Sequence, residues 1–333
     1  MAKSILVAVG GNSLIRSGEK GTAAEQMRNA RGTAAALAEL IRGGHRLVIT
    51  HGNGPQVGAD LLRSERATDQ VPGLPLDVCD AATQGEIGYI LQQSLGNALA
   101  AAGLDPRVAT ILTQCVVEPN DPAMQKPTKP IGPFYSEQEA QQRRRTLGWS
   151  MVEDAARGYR RVVPSPDPVG IVEVEVIRRL VDDGVLVIAV GGGGIPVVHS
   201  AEGLRGVEAV IDKDRASALL ASRLGVDVFA ISTDADFVYR DYKTPAQRPL
   251  TDVTVSEMED LLRAGQFPPG NMGPKVESAL RFLRNGGREV VITSYQHLYE
   301  AVSGHAGTHI VRDGELVAAG AEHERAALPL KGR

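Results

Sequence analysis

Apolar positions along this chain follow two alternating rhythms. Short unbroken runs, rich in β-branched residues, recur at Ser4 to Val9, Leu47 to Thr50, Val108 to Val117, Val185 to Val190, Asp227 to Ser232 and Arg288 to Thr293. Runs of that length and composition predict strands buried on both faces. Longer stretches of mixed Ala, Leu, Glu and Arg lie between them and predict helices. These span Thr22 to Arg42 (stopped by Gly43-Gly44), Gln56 to about Thr68, Asp80 to Ala102, Ile171 to Asp182, Ile211 to Leu224, Val255 to Arg263 and Lys275 to Asn285. This βαβ alternation implies an α/β fold, a mainly parallel open sheet covered on both faces.

The rhythm breaks twice. Pro119 to Pro133 carries five prolines and reads as neither helix nor central strand. A polar helix over Ser136 to Leu147 and a short strand over Arg160 to Pro164 follow, so about 118 to 168 is expected to form an inserted subdomain. Near His199 to Glu208 a boundary divides the chain into 1–205 and 206–333. Val71 to Asp77 and Phe267 to Pro274 read as proline-marked loops. Phe237 to Tyr239 with Leu250, and Thr308 to Val311 with Glu315 to Val317, read as short extended pieces or hairpins.

Where the buried strands end, glycines gather. Gly10-Gly11-Asn12 closes the first strand. His51-Gly52-Asn53-Gly54-Pro55 closes the second and leads into a helix, and Gly191 to Gly194 closes a third. Gly52 and Gly54 admit backbone angles that a Cβ forbids, and Pro55 suits a helix's first turn. A strand, a glycine turn and a helix start leave free N–H groups facing outward, which suits an anion. Such a loop is also an ordinary tight connection, but its recurrence at three strand ends favours several anionic groups at one rim of the sheet.

Composition narrows the chemistry. Of 333 residues, 43% are hydrophobic and 4% aromatic, with a net charge of −4. The only tight basic cluster is Arg143-Arg144-Arg145, so nucleic acid is disfavoured as a partner. No apolar run reaches membrane-spanning length, and no signal-peptide pattern opens the chain. Cys79 and Cys115 suit a reducing cytoplasm.

Anionic ligands require cationic partners, and three lysines stand in unusual places. Lys213 lies between Asp212 and Asp214 at a helix start, Lys275 follows Gly273-Pro274 at another, and Lys129 sits in the proline-rich stretch. A first-turn lysine opposes the helix dipole. Each is either simply exposed or placed to meet phosphoryl oxygens, which phosphoryl transfer would require. One of the two aspartates would then hold the lysines. The G-x-x-x-x-G-K-[ST] loop is absent. Gly52, Gly54 and Gly58 give a variant dinucleotide pattern without the acidic residue that usually follows, which leaves a nicotinamide-dependent dehydrogenase as a competing reading. His51 is either a general base or a structural residue.

Several segments, in order, resemble carbamate kinases of the amino-acid kinase superfamily: VGGNSL, THGNGPQVG, PLDV, TQGEIGY, NDPAMQKPTKPIGPFY, GGGGIPVV, GVEAVIDKD, TDAD, NMGPKVESALRF and GHAGT. The resemblance implies a three-layer αβα sandwich with a protruding subdomain, an N-terminal acid-substrate lobe, a C-terminal nucleotide lobe, and a homodimer. It implies reversible transfer between ATP and carbamate, giving ADP and carbamoyl phosphate, with Mg2+ as cofactor and no protein metal site. Gly10, Gly11 and Asn12 would cradle the phosphoryl group. Gly52, Asn53 and Gly54, with Gly192 and Gly193, would complete the substrate site. Lys129 would reach the substrate from the protruding subdomain. Lys213 and Lys275 would neutralise oxygens, oriented by Asp214. Thr233, Asp234, Tyr242, Met272 and Gly273 would line the nucleotide site. A different carboxylate acceptor on the same fold is the alternative. Glu86, Lys126 and Asp80 depart from the family pattern. Glu86 or Lys126 would alter the acceptor if either faced the site, and would otherwise be surface changes.

Overall fold

A computed structural model describes residues 2–10, 13–16, 18–154, 158–267 and 272–315. In chain order the strands are β1 (Ser4–Val9), β2 (Arg46–His51), β3 (Val108–Thr110), β4 (Gln114–Val117), β5 (Lys129–Tyr135), β6 (Met151–Glu153), β7 (Tyr159–Val163), β8 (Pro168–Ile171), β9 (Leu186–Ile188), β10 (Ile195–Ser200), β11 (Gly203–Gly206), β12 (Val228–Thr233), β13 (Val238–Arg240), β14 (Arg248–Leu250), β15 (Asp252–Thr254), β16 (Glu289–Ser294) and β17 (Thr308–Val311). The helices are α1 (Ala23–Arg42), α2 (Gly54–Arg66), α3 (Leu76–Ala101), α4 (Glu137–Leu147), α5 (Val174–Asp182), α6 (Lys213–Leu224), α7 (Val255–Arg263), α8 (Met272–Arg284) and α9 (Leu298–Val302).

One eight-stranded sheet runs in the order β15-β17-β16-β12-β1-β2-β9-β3. Every pairing in it is parallel except β16 with β17. Strand β1 lies at its middle, and its side chains alternate between two cores. Ile5, Val7 and Val9 pack with α1, α3 and α9, whereas Leu6 and Ala8 pack with the layer of α5, α6, α7 and α8. Residues Ile5 to Val9 are all fully buried, which is why the run contains no polar residue. The result is the expected αβα sandwich.

Helix boundaries follow local chemistry. Thr22 and Glu25 form a capping box at α1, and Ser136 with Glu139 does the same at α4. Helix α3 begins at Leu76, not Asp80, so Leu76 and Asp77 leave the expected loop and Leu76 joins a small core beneath α2. Likewise α8 begins at Met272, inside the expected loop.

Two further expectations need correcting. Val108 to Val117 is not one strand. Residues 111–113 interrupt it, β3 pairs with β9 in the large sheet, and β4 joins a separate sheet ordered β11-β10-β4-β8. At the break Thr113 bonds Gln84 and Val190 while its carbonyl already accepts from Ile195 of β10, so the chain crosses from one sheet to the other. The expected helix from Ile171 starts only at Val174, because Pro168–Ile171 is the strand β8. The expected hairpin beyond Val311 includes Leu316 and Val317, which lie outside the described residues.

Within 118–168, β5, β7 and β6 form their own antiparallel sheet with α4 on it. Pro130 and Pro133 fit because β5 is an edge strand, where a missing N–H can face away from the ladder. This sheet meets α2 at Gly58 and Gly132. A Cβ on Gly58 would lie 2.1 Å from the Gly132 nitrogen, so backbone packs directly on backbone.

Candidate active site

Strands β9, β2, β1 and β12 are neighbours and parallel, so their carboxyl ends share one rim. Gly191–Gly193, Gly52, Gly10 and Thr233 all fall there. The glycines at these ends serve close approach more than turning. Gly10 abuts β12, where a Cβ would lie 2.8 Å from the Ser232 carbonyl oxygen. Each glycine of the third loop faces a different segment. A Cβ would strike the His51 ring at Gly191, the Asn53 carboxamide at Gly192, the Ile211 carbonyl at Gly193 and the Cys115 sulfur at Gly194. Gly192, Gly193 and Gly194 also take positive φ, of 67°, 99° and 85°. Gly54 does not, contrary to the expectation for its loop, because it is already the first residue of α2. Gly11 and Asn12 lie outside the described residues.

The lysines converge through two aspartates. Asp212 is the N-cap of α6. Its Oδ1 accepts from the Asp214 N–H at 2.9 Å, and its Oδ2 accepts from Lys129 Nζ at 2.5 Å. Asp214, 3% exposed, takes Lys213 on Oδ1 and Lys275 on Oδ2, the latter at 2.9 Å. Lys129 comes from the inserted sheet, Lys213 from the start of α6 and Lys275 from the first turns of α8. The sequence assigns one aspartate a holding role, and the family resemblance makes it Asp214. The structure gives Asp212 one as well, and its place as a helix cap in IDKD was the available signal.

Burial and ion pairing oppose each other in this cluster. Lys213 is pulled below the ordinary lysine range chiefly by burial, which Asp214 opposes. Burial acts the same way on Lys275, but Asp214, Asp212 and Asp234 outweigh it and its ammonium is held above the ordinary range. Asp214 is pushed up by burial, yet its two lysines bring it below the usual carboxylate range. Asp212 is likewise lowered, by Lys129 before the other lysines. Each of the three lysines thus has a carboxylate oxygen as its partner.

His51 answers its open question. Buried beneath Gly191, it is pushed down to about 4 by desolvation, and its Nδ1 lies 3.2 Å from the Gly52 carbonyl oxygen. It is a neutral structural residue. Asn53, 2% exposed, donates to Asp80 and Thr83 on α3. Thr233 ends β12, Met272 and Gly273 begin α8, and the half-exposed Tyr242 stacks near Tyr239 with ring centres 6.0 Å apart. Lys126 is exposed at the end of a 3-10 turn. Glu86 accepts from Gln26 at 3.3 Å and lines a cavity of about 520 Å³ with Gln56, Arg63, Phe134 and Arg160.

The model of the amino acid kinase family matches residues 3–294. The carbamate kinase of Pyrococcus horikoshii is 47% identical over 312 residues, covering 93% of this chain and 99% of the relative. That of Staphylococcus haemolyticus is 48% identical over 309 residues, covering 92% and 98%. A solved carbamate kinase from Giardia lamblia bound to AMP-PNP superposes with a TM-score of 0.86 at 42% identity, covering 94% of this chain and 99% of that one. The chain belongs to the amino acid kinase family, within its carbamate kinases. Membership in a phosphotransferase family sets the nicotinamide reading aside. It also accounts for a rim built from cations and glycine loops. Among the described residues no helix is long and apolar enough to cross a membrane, and no group of three or more His, Cys, Asp or Glu is placed to hold a metal ion.

Proposed function

We propose that this chain catalyses ADP + carbamoyl phosphate ⇌ ATP + carbamate. The observation that carries the reading is the convergence of Lys129, Lys213 and Lys275 on Asp212 and Asp214 at the rim where the glycine loops end. Carbamate is already an anionic oxygen nucleophile, so the reaction needs no general base. Its obstacle is bringing two anions together. Preorganised cations in a dry site lower that barrier most where charge is spread over the transferring phosphoryl oxygens.

The roles follow position. Lys213 and Lys275 meet the phosphoryl oxygens, with Asp214 fixing both. Lys129 reaches the carbamoyl end from the inserted sheet. Gly10, Gly11, Asn12, Gly192 and Gly193 supply backbone N–H groups. Gly52, Asn53 and Gly54 seat the carbamoyl group. Thr233, Asp234, Tyr242, Met272 and Gly273 seat the nucleotide. Residues 1–205 then form the acid-substrate lobe and 206–333 the nucleotide lobe, with 118–168 as a cover.

Mg2+ fits as a passenger of the nucleotide. Both oxygens of Asp214 are engaged by lysines, and Asp212 is shared between Lys129 and helix N–H groups, so phosphate and water would supply the hard oxygen ligands such an ion takes. When bound it supplies further charge neutralisation at those oxygens. We further place the enzyme in the cytoplasm as a homodimer, working toward ATP in arginine or related nitrogen catabolism.

The test is ATP formation from ADP, Mg2+ and carbamoyl phosphate by the purified protein. Rapid ATP formation is expected. ADP binding without ATP formation would overturn carbamate as the acceptor. The 520 Å³ cavity beside α2, roomier than carbamate requires, would then favour a larger carboxylate acceptor reaching Arg63, Arg160 and Glu86.

A further inference from the structure

Asn53 sits within the second glycine loop, and its carboxamide lies under Gly192. Its Nδ2 donates to Asp80 Oδ1 at 2.7 Å and to Thr83 Oγ1 at 2.9 Å. The Thr83 hydroxyl gives its own hydrogen to the Asp80 main-chain carbonyl at 2.8 Å, so toward Asn53 it can only accept. The amide atom facing Thr83 must therefore be nitrogen. Both amide hydrogens point into α3, and the carbonyl oxygen takes the opposite side.

Asp80 is an unexpected residue for this place. It is 2% exposed on α3, and its Oδ2 has no hydrogen-bond partner among the described residues. Burial raises its carboxyl well above the ordinary range, against the Asn53 bond and with help from Asp77. A helix needs no acid here, and a buried carboxyl with one oxygen unpartnered costs stability. Among the described residues its carboxyl is bonded by Asn53 alone.

We propose that Asp80 is a positioning residue. With Thr83 it clamps the Asn53 carboxamide in the orientation that turns its oxygen to the substrate, where it accepts from the carbamoyl NH2. The clamp makes Asn53 a detector of N–H donors. It favours carbamoyl phosphate over acetyl phosphate, which carries a methyl group in that place. The proposal rests on the reading that Asn53 seats the carbamoyl group.

Steady-state ATP formation tests it, with acetyl phosphate measured as a competitor. Asp80→Ala should raise KM for carbamoyl phosphate by up to about tenfold, the worth of one hydrogen bond. It should leave kcat, KM for ADP and inhibition by acetyl phosphate within about twofold. Asp80→Asn keeps an acceptor facing Asn53 and should restore KM. In an Asn53→Ala background, Asp80→Ala should add nothing. An unchanged KM in Asp80→Ala, or an increase that persists in the Asn53→Ala background, overturns the proposal. Should Asp80→Ala fail to fold, Thr83→Val reads the same clamp from its other arm with the same outcomes. If Asn53→Ala alone leaves KM unchanged, it is the seating role of Asn53 that fails.

Discussion

Two carboxylates at one helix start hold lysines in contrasting ways. Asp214 is sealed in the sandwich and binds two lysines whose helices, α6 and α8, pack side by side. Asp212, two positions earlier at the helix cap, binds a lysine that arrives from a separate sheet. The first pair of contacts is built into the core and stands as long as the core stands. The second depends on how the inserted sheet docks on α2. Two of the lysines are thus tied to the sandwich, and the third is delivered by a separate sheet.

Breaking the sealed side should have the largest effect. Asp214→Ala leaves two buried ammonium groups without their partner and should destabilise the fold by about 3–5 kcal/mol, read by denaturant unfolding. Lys213→Ala or Lys275→Ala should lower turnover at least about a hundredfold in assays with saturating substrates. Near-wild-type turnover in both would remove them from the chemistry. On the delivered side, Lys129→Ala should act mainly on KM for carbamoyl phosphate, and a KM equal to wild type would take Lys129 out of the site. Gly58→Ala sharpens the contrast. It should loosen the inserted sheet, raising proteolysis within 118–168 and KM together, while the midpoint of core unfolding moves little.

A smaller effect separates the regions by pH. His51 lies among the rim loops with a folded value of about 4 against 6.5 unfolded. Its contribution is complete above 6.5 and is lost as pH falls toward 4, because the unfolded chain takes up the proton first. At 1.36 kcal/mol per unit this amounts to about 3 kcal/mol. Glu289, bonded by Lys3 and His309, is held near 2 and gives a second loss from about 4.5 downward. Unfolding free energies of His51→Gln should lack the upper slope and keep the lower one. An unaltered slope between 4 and 6.5 would show that another group carries it. Smallest of all, Lys126→Ala should change neither stability nor kinetics measurably.

Much of this was legible in the chain. Buried strands announce themselves when both faces are covered, so β1, β2, β12 and β16 were plain, and the glycine loops followed as their exits. Less legible was whatever depended on a distant partner. The run from Val108 to Val117 looks continuous because nothing local records that Thr113 bonds Gln84 and Val190. The cap position of Asp212 could be read, but its pairing with Lys129, 83 positions away, could not. Asp80 stood out as a departure from the family pattern, yet only its approach to Asn53 gives it a place in the site. Glu86 and Lys126 looked equally suspect in sequence, and the structure separates them into a cavity wall and an exposed surface residue.

The backbone contact between Gly58 and Gly132 also bears on how this chain can change over time. At Gly58 a single added methyl group would act as a wedge, lifting the inserted sheet away from α2 and carrying Lys129 with it. Substitution there is blocked by a neighbour 74 positions along the chain, however mild the change looks by itself. The same wedge is an experimental handle. An enzyme with its inserted sheet lifted from α2 and its sandwich intact would show how much of catalysis belongs to the sandwich alone.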